Sequence, residues 1–134
     1  MQNILIGFVS ALVSMLAIDA IWLSTMAKTF YSRHIGHLMA ESPNLLPAGI
    51  FYIIYTFALS VLVVAPAVDN GSSALKVFLF GALFGFSAYA TYDLTNQATL
   101  KSWPTVVSVV DMLWGALLTG IAAVIAFYIT KYFA

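Results

Sequence analysis

The sequence predicts an all-α integral membrane protein, a four-helix bundle with a short interfacial helix between the first and second spans. Of its 134 residues 63% are apolar and 7% are charged, and the mean hydropathy is +1.01, whereas soluble domains carry about 25% charged residues. Four apolar stretches, over residues 4–27, 48–67, 74–92 and 105–128, are each close to the roughly 20 residues that cross a bilayer core as a helix. We therefore expect one four-span transmembrane domain over residues 1–134, with the lipid bilayer as its partner.

Charge and cysteine content exclude several classes of function. Five basic residues balance five acidic ones without a basic stripe, so the electrostatic footprint of nucleic-acid binding is missing. The absence of cysteine excludes disulfides, thiolate metal sites and a cysteine nucleophile. The first span has no basic segment before it and is interrupted by Asp19, so we interpret it as a retained span rather than a cleaved signal peptide.

The connection from Lys28 to Pro47 contains the predicted interfacial helix. Its apolar residues recur at helical spacing opposite Lys28, Arg33 and Glu41, a pattern typical of a helix that lies in the membrane interface. These apolar residues are Phe30, Tyr31, Ile35, Leu38 and Met39.

The other two connections carry turn signals. Pro66 and the run Asp-Asn-Gly-Ser-Ser at 69–73 predict a tight turn that makes the second and third spans antiparallel neighbours. The third connection runs from about Asp93 to Trp103. Pro104 then opens the fourth span, because a missing N–H costs nothing at a first helical position.

Lysine and arginine are distributed slightly unevenly between the two sides of the membrane. The first and third connections carry three of them, Lys28, Arg33 and Lys101, whereas Lys76 and Lys131 lie on the other side. The positive-inside rule therefore places the first and third connections in the cytoplasm and both termini outside. The small bias leaves insertion in both orientations open, and with it a homodimer.

Polar and aromatic residues concentrate at the face that the first and third connections share. Two acids on that side lie inside their spans, because Asp19 is eight residues before Ala27 and Asp111 is six after Thr105, or roughly 12 and 9 Å at helical rise. Each is followed three residues later by tryptophan, so a carboxylate and an indole N–H share one helix face. An ionised acid within a span costs about 2.5 to 3.5 kcal/mol on insertion scales, so these groups should face the bundle interior.

We predict that acids of the first, third and fourth spans converge on one polar pocket. The candidate ligand or proton site comprises Asp19, Trp22, Tyr89, Tyr92, Asp93, Asn96, Asp111 and Trp114. One interpretation is a buried hydrogen-bond network that only fixes helix register. We favour a proton-carrying, ion-binding or catalytic cluster, because an intramembrane acid is a functional-site candidate by default.

The third span combines this polar end with a close-packing motif. Gly81 and Gly85 form a G-x-x-x-G, which we interpret as helix packing inside the monomer rather than as a dimer motif. Tyr52 and Trp103 we assign to the aromatic belt at the membrane interface.

Three weak candidate metal ligands share one face of the connecting segment. His34, His37 and Glu41 fall at i, i+3 and i+7. Two imidazoles fall short of the histidine sets that membrane hydrolases and oxygenases use. We therefore predict no metal and no cofactor.

Several motifs together resemble one bacterial membrane family. They are the Asp-x-x-Trp within Leu16 to Leu23, Phe51-Tyr52-x-x-Tyr55, Pro66-Ala67, the segment from Ala90 to Trp103, and Asp111-x-x-Trp114-Gly115. This pattern resembles the family known as domain of unknown function 2177, and the likeness runs nearly end to end. The resemblance implies a four-helix, multi-pass protein of the bacterial inner membrane, and it implies no particular activity, substrate or cofactor.

Three functions fit these residues. We favour a proton-linked carrier or ligand-binding protein for a small apolar or cationic molecule, in which the acids exchange protons and the Tyr and Trp rings stack on the ligand. The second is an intramembrane enzyme that acts on a lipid or peptide with Asp93 and Asp111 as a general acid and base pair. The third is a structural accessory subunit of a membrane complex.

Overall fold

The structure, a computed structural model, describes residues 1–134 and consists of four long helices joined by short connections. The helices are α1 (Gln2–Leu38), α2 (Leu45–Asp69), α3 (Ala74–Thr99) and α4 (Thr105–Phe133). All four are long and apolar enough to span a membrane, and the chain contains no β-strand. The prediction of an all-α membrane protein with four spans is therefore confirmed.

Helix α1 is much longer than the first predicted span. Its 37 residues extend over about 56 Å, whereas a bilayer core is about 30 Å thick. The segment predicted as a separate interfacial helix continues α1 through a π-helical turn at Ala27–Tyr31, an α-helical turn at Ser32–Ile35 and a 3-10 turn at Gly36–Leu38. The first two turns follow the span directly, and only Ile35, with φ −129° and ψ 21°, departs from helical dihedral angles before the last turn, so a distinct interfacial helix is not confirmed.

The starts of α2 and α3 are set by polar side chains that satisfy a free backbone N–H. Asn44 Oδ1 accepts a hydrogen bond from the N–H of Leu46 at 3.2 Å, and Ser73 Oγ accepts one from the N–H of Lys76 at 3.2 Å. Both are N-cap residues of the favoured types. Helix α4 begins directly after Pro104, close to the predicted start.

Helix α4 is the central helix of the bundle, because it packs against all three others. Its contact with α3 is very close. A Cβ added to Gly85 would lie 2.1 Å from the carbonyl oxygen of Gly115, and one added to Gly81 would lie 2.8 Å from the Cβ of Ala123. The G-x-x-x-G of α3 therefore packs inside the monomer, as predicted, and small residues bring the two backbones together.

Helix α2 crosses α1 closely at one point. Ser60 Oγ donates to the carbonyl oxygen of Ile4 at 2.7 Å, and a Cβ on Gly7 would lie 2.5 Å from that Oγ. Residues Ser60–Val64 form a π-helical turn just before Pro66, which has no N–H to donate to the carbonyl four residues earlier. The irregular turn therefore has a local cause in the sequence.

Helices α2 and α3 are joined by the predicted tight turn. Gly71 adopts φ +62° there, and the N–H of Ser72 donates to the carbonyl oxygen of Ala67 at 2.9 Å. The two helices pack closely around Ser60–Val64, but a groove separates them farther along. They are antiparallel, as predicted, without being tightly packed along their whole length.

Candidate ligand-binding site

A cavity of about 260 Å³ lies between α1, α3 and α4, at the end of the bundle where the first and third connections lie. We call it the aromatic cavity. Its aromatic wall consists of Trp22, Tyr31, Tyr89, Tyr92, Trp103 and Trp114, and two carboxyl groups, those of Asp19 and Asp111, also line it. A mostly apolar wall with a few convergent polar groups is typical of small-molecule sites.

Asp19 is held by donors from two other helices. The Tyr52 hydroxyl on α2 donates to Oδ2, and the Trp114 indole N–H on α4 donates to Oδ1 at 3.1 Å. The residue is only 7% exposed, so these bonds replace the water that the carboxyl group would otherwise bind. Asp19 therefore links α1, α2 and α4.

Asp111 is held by a residue of the α1 extension. The Tyr31 hydroxyl donates to Asp111 Oδ1 and accepts a hydrogen bond from the Trp22 indole N–H at 3.3 Å. Tyr31 ends the π-helical turn of α1, a type of turn that occurs frequently at functional sites. The continuation of α1 thus supplies the donor to an acid on α4.

The two Asp-x-x-Trp units meet face to face across α1 and α4. The rings of Trp22 and Trp114 are stacked with their centroids 4.1 Å apart and an interplanar angle of 8°. The arrangement is reciprocal: Trp114 of α4 donates to the acid of α1, and Trp22 of α1 is linked through Tyr31 to the acid of α4. This part of the bundle is consequently a cross-linked polar network inside an apolar protein.

Asp93 on α3 lies behind the cavity wall. It is fully buried, and neither carboxyl oxygen has a hydrogen-bond partner. Its ionisable neighbour is Asp111. The Trp103 indole N–H donates to Ser108 Oγ at 3.1 Å, and that hydroxyl donates to the backbone carbonyl of Asp93 at 3.3 Å, which ties the backbone of this residue to the aromatic wall. A buried polar group without a partner is rare and calls for an explanation.

The charged side chains of the site are all acidic. None of the residues that line the aromatic cavity is Lys, Arg or His. Asp19, Asp93 and Asp111 are therefore grouped without a basic side chain to compensate them. Buried acids are normally paired, protonated or bound to a cation, so this cluster matches a proton or a cationic ligand in charge.

Comparison with known families gives one match. A family model described as "Predicted membrane protein (DUF2177)" matches residues 4–128. The chain belongs to the DUF2177 family. No curated protein and no solved structure matches the sequence. Membership in DUF2177 agrees with the multi-pass membrane architecture, and the function must be inferred from the site itself.

Most of the predicted site residues of this DUF2177 protein line the aromatic cavity. These are Asp19, Trp22, Tyr89, Tyr92, Asp111 and Trp114. Asp93 lies behind the wall, and Asn96 is half-buried outside the cavity, where its backbone carbonyl accepts a bond from the N–H of Leu100. That the gathered residues form a functional site stays a prediction.

Sequence reasoning missed three residues of the site. Tyr31 and Tyr52 are the hydrogen-bond donors to Asp111 and Asp19, and Trp103 is 8% exposed and lines the cavity. Tyr52 and Trp103, which the sequence predicts for the interfacial belt, also contact the polar network, through Asp19 and Ser108 respectively, and their position in the membrane interface stays a prediction. Buried acids require donors, and tyrosines on the same side of the membrane were the available signal.

The weak metal candidates of the DUF2177 chain are not brought together. No group of three His, Asp or Glu side chains is arranged to hold a metal ion. The His34 ring instead pairs through Nδ1 with the Phe30 carbonyl oxygen at 2.8 Å. His34, His37 and Glu41 therefore form no ligand set with one another.

Proposed function

We propose that this DUF2177 protein is a proton-linked carrier or ligand-binding protein of the bacterial inner membrane, built as a single domain over residues 1–134, and that its ligand is a small organic cation. The observation that carries the proposal is the uncompensated group of acids beside aromatic walls. Two of these acids, Asp19 and Asp111, line the aromatic cavity. A cation enclosed there gains from the carboxylates and from the faces of the aromatic rings.

The size of the cavity supports a small ligand. Sites for drug-sized molecules measure about 300 to 1,000 Å³, and the aromatic cavity measures about 260 Å³. A quaternary or primary ammonium group with few carbon atoms around its nitrogen matches this space, whether it is a whole ligand or the head of a longer one. Recognition of quaternary ammonium groups by aromatic residues is a well-established use of cation–π attraction.

In this proposal Asp93 couples ligand binding to the release of a proton. It touches no cavity space, but Asp111 is its ionisable neighbour. An ionised carboxylate without a partner is far more costly to bury than a neutral acid. Asp93 therefore holds a proton in the empty site and releases it when a cation arrives at Asp111, because a nearby positive charge favours the ionised form.

The burial of Asp93 favours this role over the enzyme alternative. A general acid or base must be within hydrogen-bond reach of the substrate atom. Asp93 lies behind Trp103 and Ser108 and does not line the cavity. An acid–base pair of Asp93 and Asp111 working on one substrate has no support in this arrangement.

The direct test is binding of tetramethylammonium to the purified protein in lipid nanodiscs. The stacked indoles of Trp22 and Trp114 provide an intrinsic fluorescence signal beside the site. We expect saturable binding that weakens at least about tenfold, or roughly 1.4 kcal/mol, in Asp19→Asn and Asp111→Asn. Asn keeps the shape of the side chain but removes its charge.

The matched control is Asp69→Asn, which removes a carboxyl group at the opposite end of the bundle, where Asp69 Oδ1 accepts from Asn3 at 2.7 Å. This variant should bind as the wild type does. Uptake of protons into proteoliposomes during cation efflux would identify a carrier, and binding without such exchange would identify a binding protein. Wild-type affinity in both site variants, or no binding to any of the proteins, would overturn the proposal.

A further inference from the structure

A second cavity reaches Asp19 from the other side of the bundle. It measures about 370 Å³ and lies between α2 and α3, where Tyr52, Tyr55 and Ala88 line it together with Asp19. Tyr89 and Tyr92 line both this cavity and the aromatic cavity. The carboxyl group of Asp19 is therefore placed at the boundary between the two spaces.

This second cavity continues into an apolar groove. A neighbouring space of about 450 Å³ shares Ala88 with it and extends along Phe84, Leu83 and Phe80 to Val63 of α2. We call the two spaces together the α2–α3 groove. It exists because α2 and α3 pack closely only around Ser60–Val64. The buried Tyr55, in edge contact with Phe84 at 5.1 Å, forms its inner wall.

The polarity and direction of the groove match those of a lipid-like molecule. Its polar end is Asp19, on the side of the first and third connections, and its other end is formed by Phe80 of α3 and Val63 of α2. Along α3 it extends from Tyr92 to Phe80, which is about 18 Å at helical rise. One leaflet contributes about half of a core that is roughly 30 Å thick, so the groove is about as long as one acyl layer.

We propose that the ligand of this protein is an amphipathic amine that enters from the bilayer, with its cationic head at Asp19 and its alkyl chain in the α2–α3 groove. This inference rests on the proposed function, because it names the substrate class for the same carboxylate. Charge complementarity selects the amine head, since no basic residue lines either cavity. The cationic head lies against the carboxyl group of Asp19, to which the Tyr52 hydroxyl donates, and it is held by charge, so quaternary ammonium ions can serve as probes.

A series of alkyltrimethylammonium ions tests the inference. Tetramethylammonium and dodecyltrimethylammonium share one head and differ only in the chain. In phosphatidylcholine nanodiscs the variant Ala88→Phe, which fills the groove at the residue shared by its two parts, should weaken binding of the dodecyl compound at least about tenfold. Affinity for tetramethylammonium should stay within about twofold of wild type.

Two further variants complete the experiment. Ala17→Phe makes the same change at a lipid-exposed position of α1, and it should leave both affinities unchanged, which controls for partition of the long chain into the bilayer. Ser87→Phe places the same ring at the exposed margin of the groove. If Ala88→Phe does not fold, this variant shows whether the groove binds the dodecyl chain.

The outcomes separate this inference from the proposed function. If tetramethylammonium binding depends on Asp19 but both groove variants bind the dodecyl compound like Ala17→Phe, the groove is not a ligand site and the proposed function stands. If the wild type binds neither compound, both proposals are overturned. Selective loss of the long-chain affinity in the groove variants supports both.

Discussion

At the scale of single residues, the site depends on hydroxyl and indole donors that serve buried acids. Each carboxyl group that lines the aromatic cavity has a tyrosine donor from another helix or helix segment, Tyr52 for Asp19 and Tyr31 for Asp111. Asp93 has none. Two acids are therefore held in place by tyrosine donors, whereas the carboxyl group of the third has no hydrogen-bond partner.

Replacing Tyr31 by Phe should destabilise the protein. The change leaves the Trp22 N–H and Asp111 Oδ1 without their shared partner, and an unsatisfied buried polar group costs about 1 to 3 kcal/mol. Tyr132→Phe is the control, since Tyr132 is 82% exposed. Thermal unfolding in detergent measures both variants. Equal unfolding temperatures would show that the Tyr31 bridge does not hold the structure.

Replacing Asp93 by Asn should separate ligand binding from its pH dependence. The titratable groups around Asp93 are Asp111, Tyr31 and Tyr92. Under the proposed function, cation binding releases a proton from Asp93, so affinity for tetramethylammonium should rise with pH. Asp93→Asn should bind the cation without releasing a proton, so its affinity should no longer rise with pH. Titration with tetramethylammonium in weakly buffered solution measures the number of protons released on binding. An unchanged number in Asp93→Asn would contradict the role proposed for Asp93.

At the scale of helices, close packing and irregular turns together shape the site. Glycines bring α3 against α4, the π-helical turn at Ala27–Tyr31 carries the Tyr31 side chain that lines the cavity, and α2 contacts α3 at its own π-helical turn, Ser60–Val64. One pair of helices is thus fixed tightly, while the other pair leaves a groove. Rigid packing beside an open groove is the arrangement that a binding site inside a bundle requires.

Gly85→Ala should disrupt the packing of α3 on α4. Its Cβ would lie 2.1 Å from the Gly115 carbonyl oxygen and 2.4 Å from Thr119 Oγ1, so the helices must separate, and overpacking of this kind costs about 1 to 3 kcal/mol. Gly49→Ala is the matched control because its Cβ meets nothing within 4 Å. Thermal unfolding of the two variants should differ clearly. A stable Gly85→Ala protein would mean that α3 and α4 are not closely packed.

At the scale of the whole molecule, the two ends of the bundle differ. The end with the first and third connections carries Asp19, Asp93, Asp111 and the aromatic cavity. The opposite end carries a smaller cavity of about 200 Å³ beside Lys76 and two exposed polar contacts: Asn3 Nδ2 donates to Asp69 Oδ1 at 2.7 Å, and Gln2 Nε2 donates to the Phe133 carbonyl oxygen at 3.4 Å. The proposed site therefore lies at only one end of the bundle, the end where no Lys, Arg or His lines the cavity.

The orientation of the molecule is predicted from its basic residues. Lys28, Arg33 and Lys101 place the first and third connections in the cytoplasm, by the positive-inside rule. Single cysteines at Ser32 and Ser102 should be protected from an impermeant thiol reagent in intact cells, whereas a cysteine at Ser72 should react. Equal labelling at all three positions would show insertion in both orientations and would favour an antiparallel homodimer.

Much of the architecture was determined by the sequence alone, because its signals are local. A run of about 20 apolar residues must satisfy its backbone groups internally and therefore forms a helix in a membrane. The Asp-x-x-Trp units, the G-x-x-x-G of α3 and the turn at 69–73 also lie within short windows. Their placement on one helix face or in one connection follows from helical geometry.

Only the tertiary structure decided which side chains meet across helices. Tyr52 bonds to Asp19, 33 positions away, and Tyr31 bonds to Asp111, 80 positions away. Ser108, which accepts from the buried Trp103, bonds to the backbone of the buried Asp93, 15 positions away. Such contacts depend on the rotation and tilt of each helix, and a one-residue change of phase turns a side chain by about 100°. The π-helical turn of α1 changes that phase, and no proline marks its position in the sequence. The donors to the two acids therefore become visible only when the packed helices are seen together.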